Sequence, residues 1–226
     1  MKVAVVLLLA SAVAPAVVLA DPSADDVKAC EAGNGGKCVD VGVAYVKAND
    51  DAHALAYYVR ACDRDNGRGC GYAGTMTTKG AGTAADPKAG RTLLEKACKL
   101  DHAESCNDLG TMWSEGKDGA DGVDYAKAKP YYEKSCKLAD GTGCFNLGNV
   151  YREGEGVKVD LKLAFTNFEK SCTLDTAMGC TELAIMYYEG KVVAKDKDKA
   201  VALLDKACKL GSDVGCQNAK KLRAHQ

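Results

Sequence analysis

The stretch Cys98-Lys-Leu-Asp-His-Ala-Glu-Ser-Cys106 contains two cysteines separated by seven residues, and this spacing recurs along the whole chain. Successive pairs begin 32, 36, 38, 36 and 36 residues apart. A period in the middle thirties, carried by helix-forming sequence, is typical of an α-solenoid whose repeats bury their apolar faces against each other. The sequence therefore predicts an all-α fold, an α/α solenoid. All twelve cysteines belong to these pairs: Cys30 and Cys38, Cys62 and Cys70, Cys98 and Cys106, Cys136 and Cys144, Cys172 and Cys180, and Cys208 and Cys216.

One helix of each repeat, called B, is predicted to begin at an aspartate twelve residues before the first cysteine of a pair. Aspartate is a favoured N-cap, and Pro87 follows one of these aspartates at the first helical position. Eight positions before the cysteine the residue is small, and four positions before it the residue is apolar, so the two lie on one face of helix B. A lysine or arginine lies two positions before the cysteine. Cations suit the last turn of a helix. The capping aspartates are Asp50, Asp86, Asp124, Asp160 and Asp196.

A second helix, A, is predicted to begin between the two cysteines of a pair. Its N-cap candidates, four residues after the first cysteine, are Asn34, Asn66, His102, Asp140, Thr176 and Ser212. The second cysteine and the residues three, four and seven positions later form the buried face. We therefore expect A–B hairpins at about residues 34–62, 66–98, 102–136, 140–172 and 176–208, with short helical caps at 23–31 and 212–224.

The B-to-A turn can bring the two cysteines of a pair within bonding distance. Pairing between neighbours is the one scheme that uses every cysteine identically, although twelve cysteines allow thousands of schemes. Each nine-residue ring should stabilise the fold by roughly 2 to 3 kcal/mol. With one Trp and three Phe in the chain, covalent links between many small interfaces are more natural than one large core.

Residues 1–20 are predicted to be a secretory signal peptide. Lys2 supplies the positive charge, an apolar run follows, and Val18-Leu19-Ala20 is a small-residue cleavage site before Asp21. The alternative is an uncleaved anchor helix, but the apolar run is short for a bilayer and Pro15 interrupts it. Export fits an even cysteine count, because disulfides form in oxidising compartments. The remaining chain, 21–226, has no long block of one charge and no feature that favours nucleic acid.

The segment Cys144-Phe-Asn-Leu-Gly-Asn-Val-Tyr-Arg-Glu-Gly154, followed by Asp160, Ala164 and Lys170-Ser-Cys172, resembles the Sel1-like repeat. The paired cysteines are similar to those of its disulfide-rich branch, the Helicobacter cysteine-rich proteins. The resemblance implies a right-handed superhelix whose A helices line a concave groove. It also implies an adaptor or binding role outside the cytoplasm. Some members of that branch bind penicillin and hydrolyse β-lactams weakly.

An enzyme is therefore the alternative function, as a weak penicillin-binding protein or β-lactamase. Ser114-Glu-Gly-Lys117 fits Ser-x-x-Lys, but neither Ser-Asp-Asn nor Lys-Thr-Gly accompanies it. None of His53, His102 and His225 has a convincing catalytic partner. We therefore name no catalytic residue and expect no cofactor. We expect no metal either, because cysteines eight apart in an exported protein supply disulfides more readily than zinc ligands.

The preferred function is an exported, monomeric scaffold, periplasmic or secreted, that binds a protein or peptide in the groove of its A helices. Phe145, Ile185 and Tyr188 are the candidate anchors, because large side chains on a solvent-facing stripe suit a partner. They could instead be scattered surface residues or pack on neighbouring repeats, and a purely structural envelope protein is a third possibility. The residues predicted to face the groove lie one, five and eight positions after the second cysteine: Asn107, Thr111, Ser114, Phe145, Asn149, Arg152, Thr181, Ile185 and Tyr188.

Overall fold

The computed structural model describes residues 22–117 and 122–224. These residues form twelve α-helices and no β-strand, so the predicted all-α fold is confirmed. The predicted signal peptide and His225 lie outside the described residues. The helices are α1 Ala24–Glu31, α2 Gly35–Lys47, α3 Asp51–Asp63, α4 Gly67–Lys79, α5 Pro87–Lys99, α6 Ala103–Glu115, α7 Tyr125–Lys137, α8 Gly141–Glu153, α9 Leu161–Thr173, α10 Ala177–Glu189, α11 Lys197–Lys209 and α12 Asp213–Ala224.

The helices stack in chain order. Each helix packs mainly against the helices next to it in sequence, and successive even-numbered helices also contact each other. The even-numbered helices are the A helices, and the odd-numbered helices from α3 to α11 are the B helices. Buried apolar side chains in the described residues fall into several local clusters along the stack. Each repeat is therefore stabilised mainly by its neighbours, as in other solenoids.

The predicted aspartate caps of the B helices are confirmed. In all five B helices a carboxylate oxygen of the aspartate accepts a hydrogen bond from a backbone N–H of the first turn. Asn34, Asn66, Asp140 and Ser212 cap A helices in the same way. His102 and Thr176 occupy the corresponding positions, but their side chains make no capping hydrogen bond. Each bond made satisfies a helix-end donor and contributes about 1 kcal/mol.

All six predicted disulfides are present, and none of the twelve cysteines is free. The Cα atoms of each pair lie 4.4 to 4.8 Å apart. The bonded pairs are Cys30 with Cys38, Cys62 with Cys70, Cys98 with Cys106, Cys136 with Cys144, Cys172 with Cys180, and Cys208 with Cys216. Pairing between neighbours, the scheme that uses every cysteine identically, is therefore confirmed for each pair.

A left-handed residue lies inside each disulfide ring. The third residue after the first cysteine of each pair has a positive φ, for example 54° at Asp65 and 61° at Asp101. This residue reverses the chain within the ring, so that helix A begins directly after helix B ends.

The lysines two positions before the first cysteine reach across to the preceding repeat. Lys96 Nζ donates to the carbonyl of Cys62 at 2.7 Å and pairs with Asp65 at 2.9 Å. Lys206 makes the same two contacts with Cys172 and Asp175, at 2.7 and 2.8 Å. The predicted position of these cations in the last turn of their own B helices is confirmed, and their ammonium groups also bond the end of the previous B helix. Each of these lysines connects two consecutive repeats by bonding a cysteine carbonyl 34 residues earlier in the sequence.

We expect Lys96→Met to lower the free energy of unfolding of the oxidised protein by about 1 kcal/mol. The lysine side chain is 41% exposed, so its charged hydrogen bond contributes at the low end of the usual range. Lys99→Met, in the same helical turn, serves as the control and should change stability by less than about 0.5 kcal/mol. Denaturant unfolding measures both. An equal effect of the two substitutions would show that the lysine does not connect the repeats.

In three of the hairpins, a glycine of helix A packs against a ring of helix B. A Cβ atom added at Gly148 would lie 2.5 Å from Cε1 of Phe168, and Gly42 and Gly110 face Tyr58 and Tyr132 in the same way. In the last hairpin the corresponding residues are Ala184 and Leu204, and both are buried. In the second hairpin Gly74 faces Leu94, where an added Cβ atom would lie 2.8 Å from Cγ of the leucine. These close approaches indicate that the two positions share one volume.

We expect Gly148→Ala to destabilise the protein by roughly 1–2 kcal/mol, because overpacking outweighs the better helix propensity of alanine. Phe168→Leu alone should also destabilise, because it leaves a cavity. The double variant reproduces the alanine–leucine pair of the last hairpin, so its loss should be smaller than the sum of the single losses. Equilibrium unfolding of the four proteins measures this coupling, and additive losses would contradict a shared volume.

Candidate functional site

Two pairs of consecutive A helices contact each other through polar side chains. We call the region between any two consecutive A helices a seam and the surface formed by the even-numbered helices the A-helix face. In the α6–α8 seam, Asn146 Nδ2 donates to Asn107 Oδ1 at 2.8 Å. In the α8–α10 seam, the guanidinium of Arg152 pairs with the carboxylate of Glu182. In both seams the residue two positions after a second cysteine meets the preceding A helix.

The nine residues predicted to line a groove have different environments. Ile185 and Tyr188 are the most exposed of them, at 38% and 41%. Asn107 and Arg152 are engaged in the seams, and the amide oxygen of Asn149 is buried with no hydrogen-bond partner in the described part of the chain. The remaining predicted residues are half-buried or buried: Thr111, Ser114, Phe145 and Thr181. The A-helix face is therefore more closely packed than a simple solvent-facing stripe.

Two of these predictions need correction. Thr181 is buried, and its hydroxyl donates to the carbonyl of Ala177 at 2.9 Å, so it does not face solvent. Phe145 is half-buried, and its ring centroid lies 6.0 Å from that of Phe168 in the core of the last repeats. Helical spacing places both residues off the main buried face, but Phe145 packs on helix B of its own hairpin and Thr181 is buried with its hydroxyl bonded within its own helix. Phe145 is therefore a core residue of this region more than an anchor.

The two exposed residues line a pocket of about 390 Å³ between α10, α11 and α12. Ile185 and Tyr188 form one wall, and Leu204 and Leu222 contribute further apolar surface. Lys197 and Lys221 also line it, while Asn218 is an uncharged polar member of the lining. This α10–α12 pocket offers apolar surface with cations and no carboxylate in its lining.

A second concavity lies in the α4–α6 seam, where two pockets of about 400 and 170 Å³ share Thr75 and Asp108. The larger pocket has apolar and aromatic walls and includes His102 and Glu104. The smaller pocket is more polar and includes Lys79 and Glu115 among its lining residues. Walls of the larger pocket include Val46, Tyr58, Tyr72 and Met76.

Asp108 is the carboxylate common to both pockets of this seam. Burial raises its pKa above the ordinary aspartate value, and the charges of Asp140 and Glu104 act in the same direction. The charge of Lys79 lowers the pKa but does not cancel the effect of burial. No ion pair or hydrogen bond of Asp108 occurs among the described residues. Burial also raises the pKa of nearby Tyr58 to about 12, so its hydroxyl stays neutral at ordinary pH.

His102 and Ser105 form a short polar contact beside the same pocket. His102 Nδ1 lies 2.9 Å from Ser105 Oγ, and Nε2 lies 3.0 Å from a carboxylate oxygen of Glu104. Burial lowers the pKa of His102, which favours the neutral ring. The serine is only 1% exposed, and a Cβ atom at Gly71 would lie 2.6 Å from its hydroxyl. The hydroxyl is therefore buried, and this contact lies within the first turn of α6, where it packs against Gly71 of α4.

The larger concavity on the other side of the stack, about 620 Å³ between α5 and α7, has a different character. Trp113 lies in its lining, with Lys127 Nζ 4.3 Å and the Arg91 guanidinium carbon 5.4 Å from the ring centroid. The indole is therefore already engaged by the protein's own cations.

The sequence matches the Sel1 repeat over residues 36–66, 70–102, 103–140, 142–175 and 177–212, well over half of its length. The chain belongs to the Sel1 repeat family. Repeat scaffolds of this kind typically mediate protein interactions. No curated protein shows significant sequence similarity to it.

Three solved structures illustrate the likeness of this Sel1 repeat protein. A Sel1 repeat protein from Oxalobacter formigenes is 20% identical over 81% of this chain and 76% of that chain, with a TM-score of 0.75. A putative Sel1 repeat protein from Klebsiella pneumoniae is 20% identical over 89% and 99%, with a TM-score of 0.56. Cysteine-rich protein B of Helicobacter pylori is 34% identical over 59% and 94%, with a TM-score of 0.48. The first two support the solenoid fold.

The Ser-x-x-Lys segment of this Sel1 repeat protein has structural contacts. Ser114 Oγ donates to the carbonyl of Thr111 at 3.1 Å and lies 2.8 Å from the hydroxyl of Tyr132. Lys117 Nζ pairs with Glu115 at 2.8 Å. Activation of a serine by lysine needs a hydrogen bond between the two, and these contacts do not provide one. The β-lactamase alternative therefore gains no support from this segment.

Residues 22–117 and 122–224 contain no group of three or more His, Cys, Asp or Glu residues that could hold a metal ion. In the same ranges no helix combines the length and apolar character needed to span a bilayer.

Sequence reasoning missed Asp108, His102 and Lys221 as lining residues of pockets on this face. Asp108 and Asn218 both lie two positions after a second cysteine, a position left out of the predicted stripe. The sequence did contain a signal, because the residue at this position is acidic in three A helices: Asp40, Asp108 and Glu182.

Asp108→Asn should raise the melting temperature of the oxidised protein at pH 7. The pKa of Asp108 is higher in the folded state than in the unfolded state, where it is about 3.9. The contribution of this residue to stability is therefore fully present below the unfolded pKa and is lost as pH rises through the folded pKa. The advantage of the variant should therefore shrink between pH 7 and pH 3 in thermal melts. Asp40→Asn, at an exposed aspartate that pairs with Lys37, is the control and should not stabilise. A pH-independent difference for Asp108→Asn would exclude titration as the cause.

Proposed function

We propose that this protein is an exported scaffold that binds a protein or peptide partner on its A-helix face. The observation that carries the proposal is the α10–α12 pocket, in which Ile185 and Tyr188 stay exposed beside the buried Leu204. Large apolar side chains held exposed in a concavity are typical anchors for a partner. Membership of a repeat family that typically mediates protein interactions supports the same function.

The pocket favours an apolar side chain on an acidic segment of the partner. Lys197 and Lys221 line it, and Lys195 Nζ lies 4.8 Å from the centroid of the Tyr188 ring. Carboxylates flanking the apolar side chain would meet these cations at the rim. Such pairs contribute mainly to the association rate and to specificity.

Export is the second part of the proposal. Six disulfides in one chain require an oxidising compartment during folding. We propose that residues 1–20 are removed as a signal peptide and that 21–226 act as one monomeric solenoid in the periplasm or outside the cell. Amino-terminal sequencing of the exported protein should begin at Asp21. A chain that retains residues 1–20 would contradict the cleavage.

Site-specific photocrosslinking tests the anchors. Benzoylphenylalanine placed at Tyr188 should give one discrete crosslinked product in the native compartment, because the ring faces the pocket. The same amino acid at Val159, which is 59% exposed in the loop between α8 and α9, is the matched control and should not give this product.

Ile185→Ala should remove the crosslink at position 188 without lowering the melting temperature by more than a few degrees, because Ile185 is exposed. The proposal fails if positions 188 and 159 give the same products, or if the product at 188 is insensitive to Ile185→Ala.

A further inference from the structure

The residue two positions after the second cysteine of a pair is acidic in three A helices, and the group that neutralises it, where there is one, differs among them. Where it is acidic in α2 and α10, the chain provides a cation: Lys37 of the same helix lies 3.3 Å from Asp40, and Arg152 of the preceding A helix pairs with Glu182. In α8 this residue is Asn146, which hydrogen-bonds Asn107. In α6 it is Asp108. Among the described residues, Asp108 has no ion-pair or hydrogen-bond partner.

The preceding A helix explains why Asp108 lacks a partner. The positions of α4 that correspond to Asn107 and Arg152 are Gly71 and Thr78. Glycine has no side chain and threonine no positive charge, so neither can neutralise the carboxylate. The absence of a side chain at Gly71 also lets α4 approach α6 closely, because a Cβ atom there would lie 2.6 Å from Ser105 Oγ and 2.8 Å from His102 Nδ1.

We propose that the larger pocket of the α4–α6 seam binds an arginine side chain of the partner, with Asp108 accepting hydrogen bonds from its guanidinium. The pocket of about 400 Å³ has the carboxylates of Asp108 and Glu104 in its lining and no lysine or arginine. Tyr72 and Met76 provide apolar surface for the methylene groups of the arginine. This inference rests on the proposed scaffold function and assigns the chemical class of one group of the partner.

An arginine fits this pocket better than an apolar or acidic side chain. A guanidinium presents planar donors that match a carboxylate and packs well on aromatic surfaces. Glu104 would repel an acidic group, and an apolar group would leave Asp108 partly buried without a partner. Arg68 is exposed, with its guanidinium carbon 5.9 Å from the Tyr72 centroid, and does not line the pocket.

Lys79 is the cation of the chain that acts on Asp108, and it lines the smaller pocket on the other side of that aspartate. Its ammonium forms no ion pair with Asp108 in the described structure. The carboxylate therefore remains available from the side of the larger pocket.

The α8–α10 seam supplies an internal test of the idea. Thr78 and Asp108 occupy the repeat positions of Arg152 and Glu182. Thr78→Arg, from the side of the smaller pocket, should therefore place a guanidinium of the chain itself beside Asp108, neutralise its charge and so weaken the binding of an external one. Thr78→Gln adds comparable bulk without charge and is its matched control.

The test is titration of the isotopically labelled, oxidised protein with two pentapeptides, acetyl-Ala-Ala-Arg-Ala-Ala-amide and the same peptide with citrulline in place of arginine. Citrulline has nearly the shape of arginine but no charge. The arginine peptide should shift the backbone amide signals of Tyr72 and Asp108 saturably in nuclear magnetic resonance spectra. The citrulline peptide should bind at least about tenfold more weakly, as expected for loss of a charged hydrogen-bond pair.

The variants separate charge from shape. Asp108→Asn and Thr78→Arg should each weaken binding of the arginine peptide by about tenfold, with melting curves showing that both variants are folded. Thr78→Gln should weaken it clearly less than Thr78→Arg. Asp40→Asn removes the same charge from another A helix and should leave binding unchanged. Equal affinity for the two peptides, no saturable shift, or binding unaffected by Asp108→Asn would each overturn the proposal.

Failure of the arginine site is distinguishable from failure of the scaffold function. If the peptides do not discriminate while the crosslink at position 188 persists and depends on Ile185, the scaffold stands and the arginine site is rejected. If the crosslink at position 188 is absent, the scaffold function as proposed is rejected, whatever the peptides show.

Discussion

The disulfide across each B-to-A turn is the constraint on which the rest of the structure depends. It fixes the end of one helix against the beginning of the next, with Cα atoms as close as 4.4 Å in several pairs. A left-handed residue inside each ring reverses the chain. Because these rings are local, every repeat acquires the same geometry before any distant contact is needed. The apolar interfaces can then be small, which suits a chain with one Trp and three Phe.

Contacts between repeats add a second level of order. Lysines such as Lys96 and Lys206 bond the carbonyl at the end of the previous B helix. Paired positions such as Gly148 and Phe168 set how closely helices A and B approach within a hairpin. These contacts repeat nearly unchanged and therefore define the scaffold. Contacts in the seams differ from one repeat to the next, and that is where the chain can distinguish one partner from another.

Much of this architecture follows from the sequence alone. The fixed spacing of cysteines and capping aspartates is sufficient to place the helices and pair the thiols, because caps and nine-residue rings are local features. Phe145 and Thr181 could not be placed, since their burial depends on tertiary packing, such as that of Phe145 on Phe168, which helical spacing does not specify. Asp108 was missed for a related reason. Helical periodicity identifies the buried face of α6, but it does not show that α4 offers Asp108 no ion-pair partner.

The crossing lysines give the stack a direction. Each one completes the helix end of the repeat before it, so the turn closed by Cys62 and Cys70 receives its final bond only from residue 96, 34 positions after Cys62. In a polypeptide that emerges with its amino end first, oxidation of a turn can precede the arrival of the residue that locks it. A chain that folds from its amino end would therefore pass through covalently closed but loosely stacked repeats, which tighten one after another as the following segment appears.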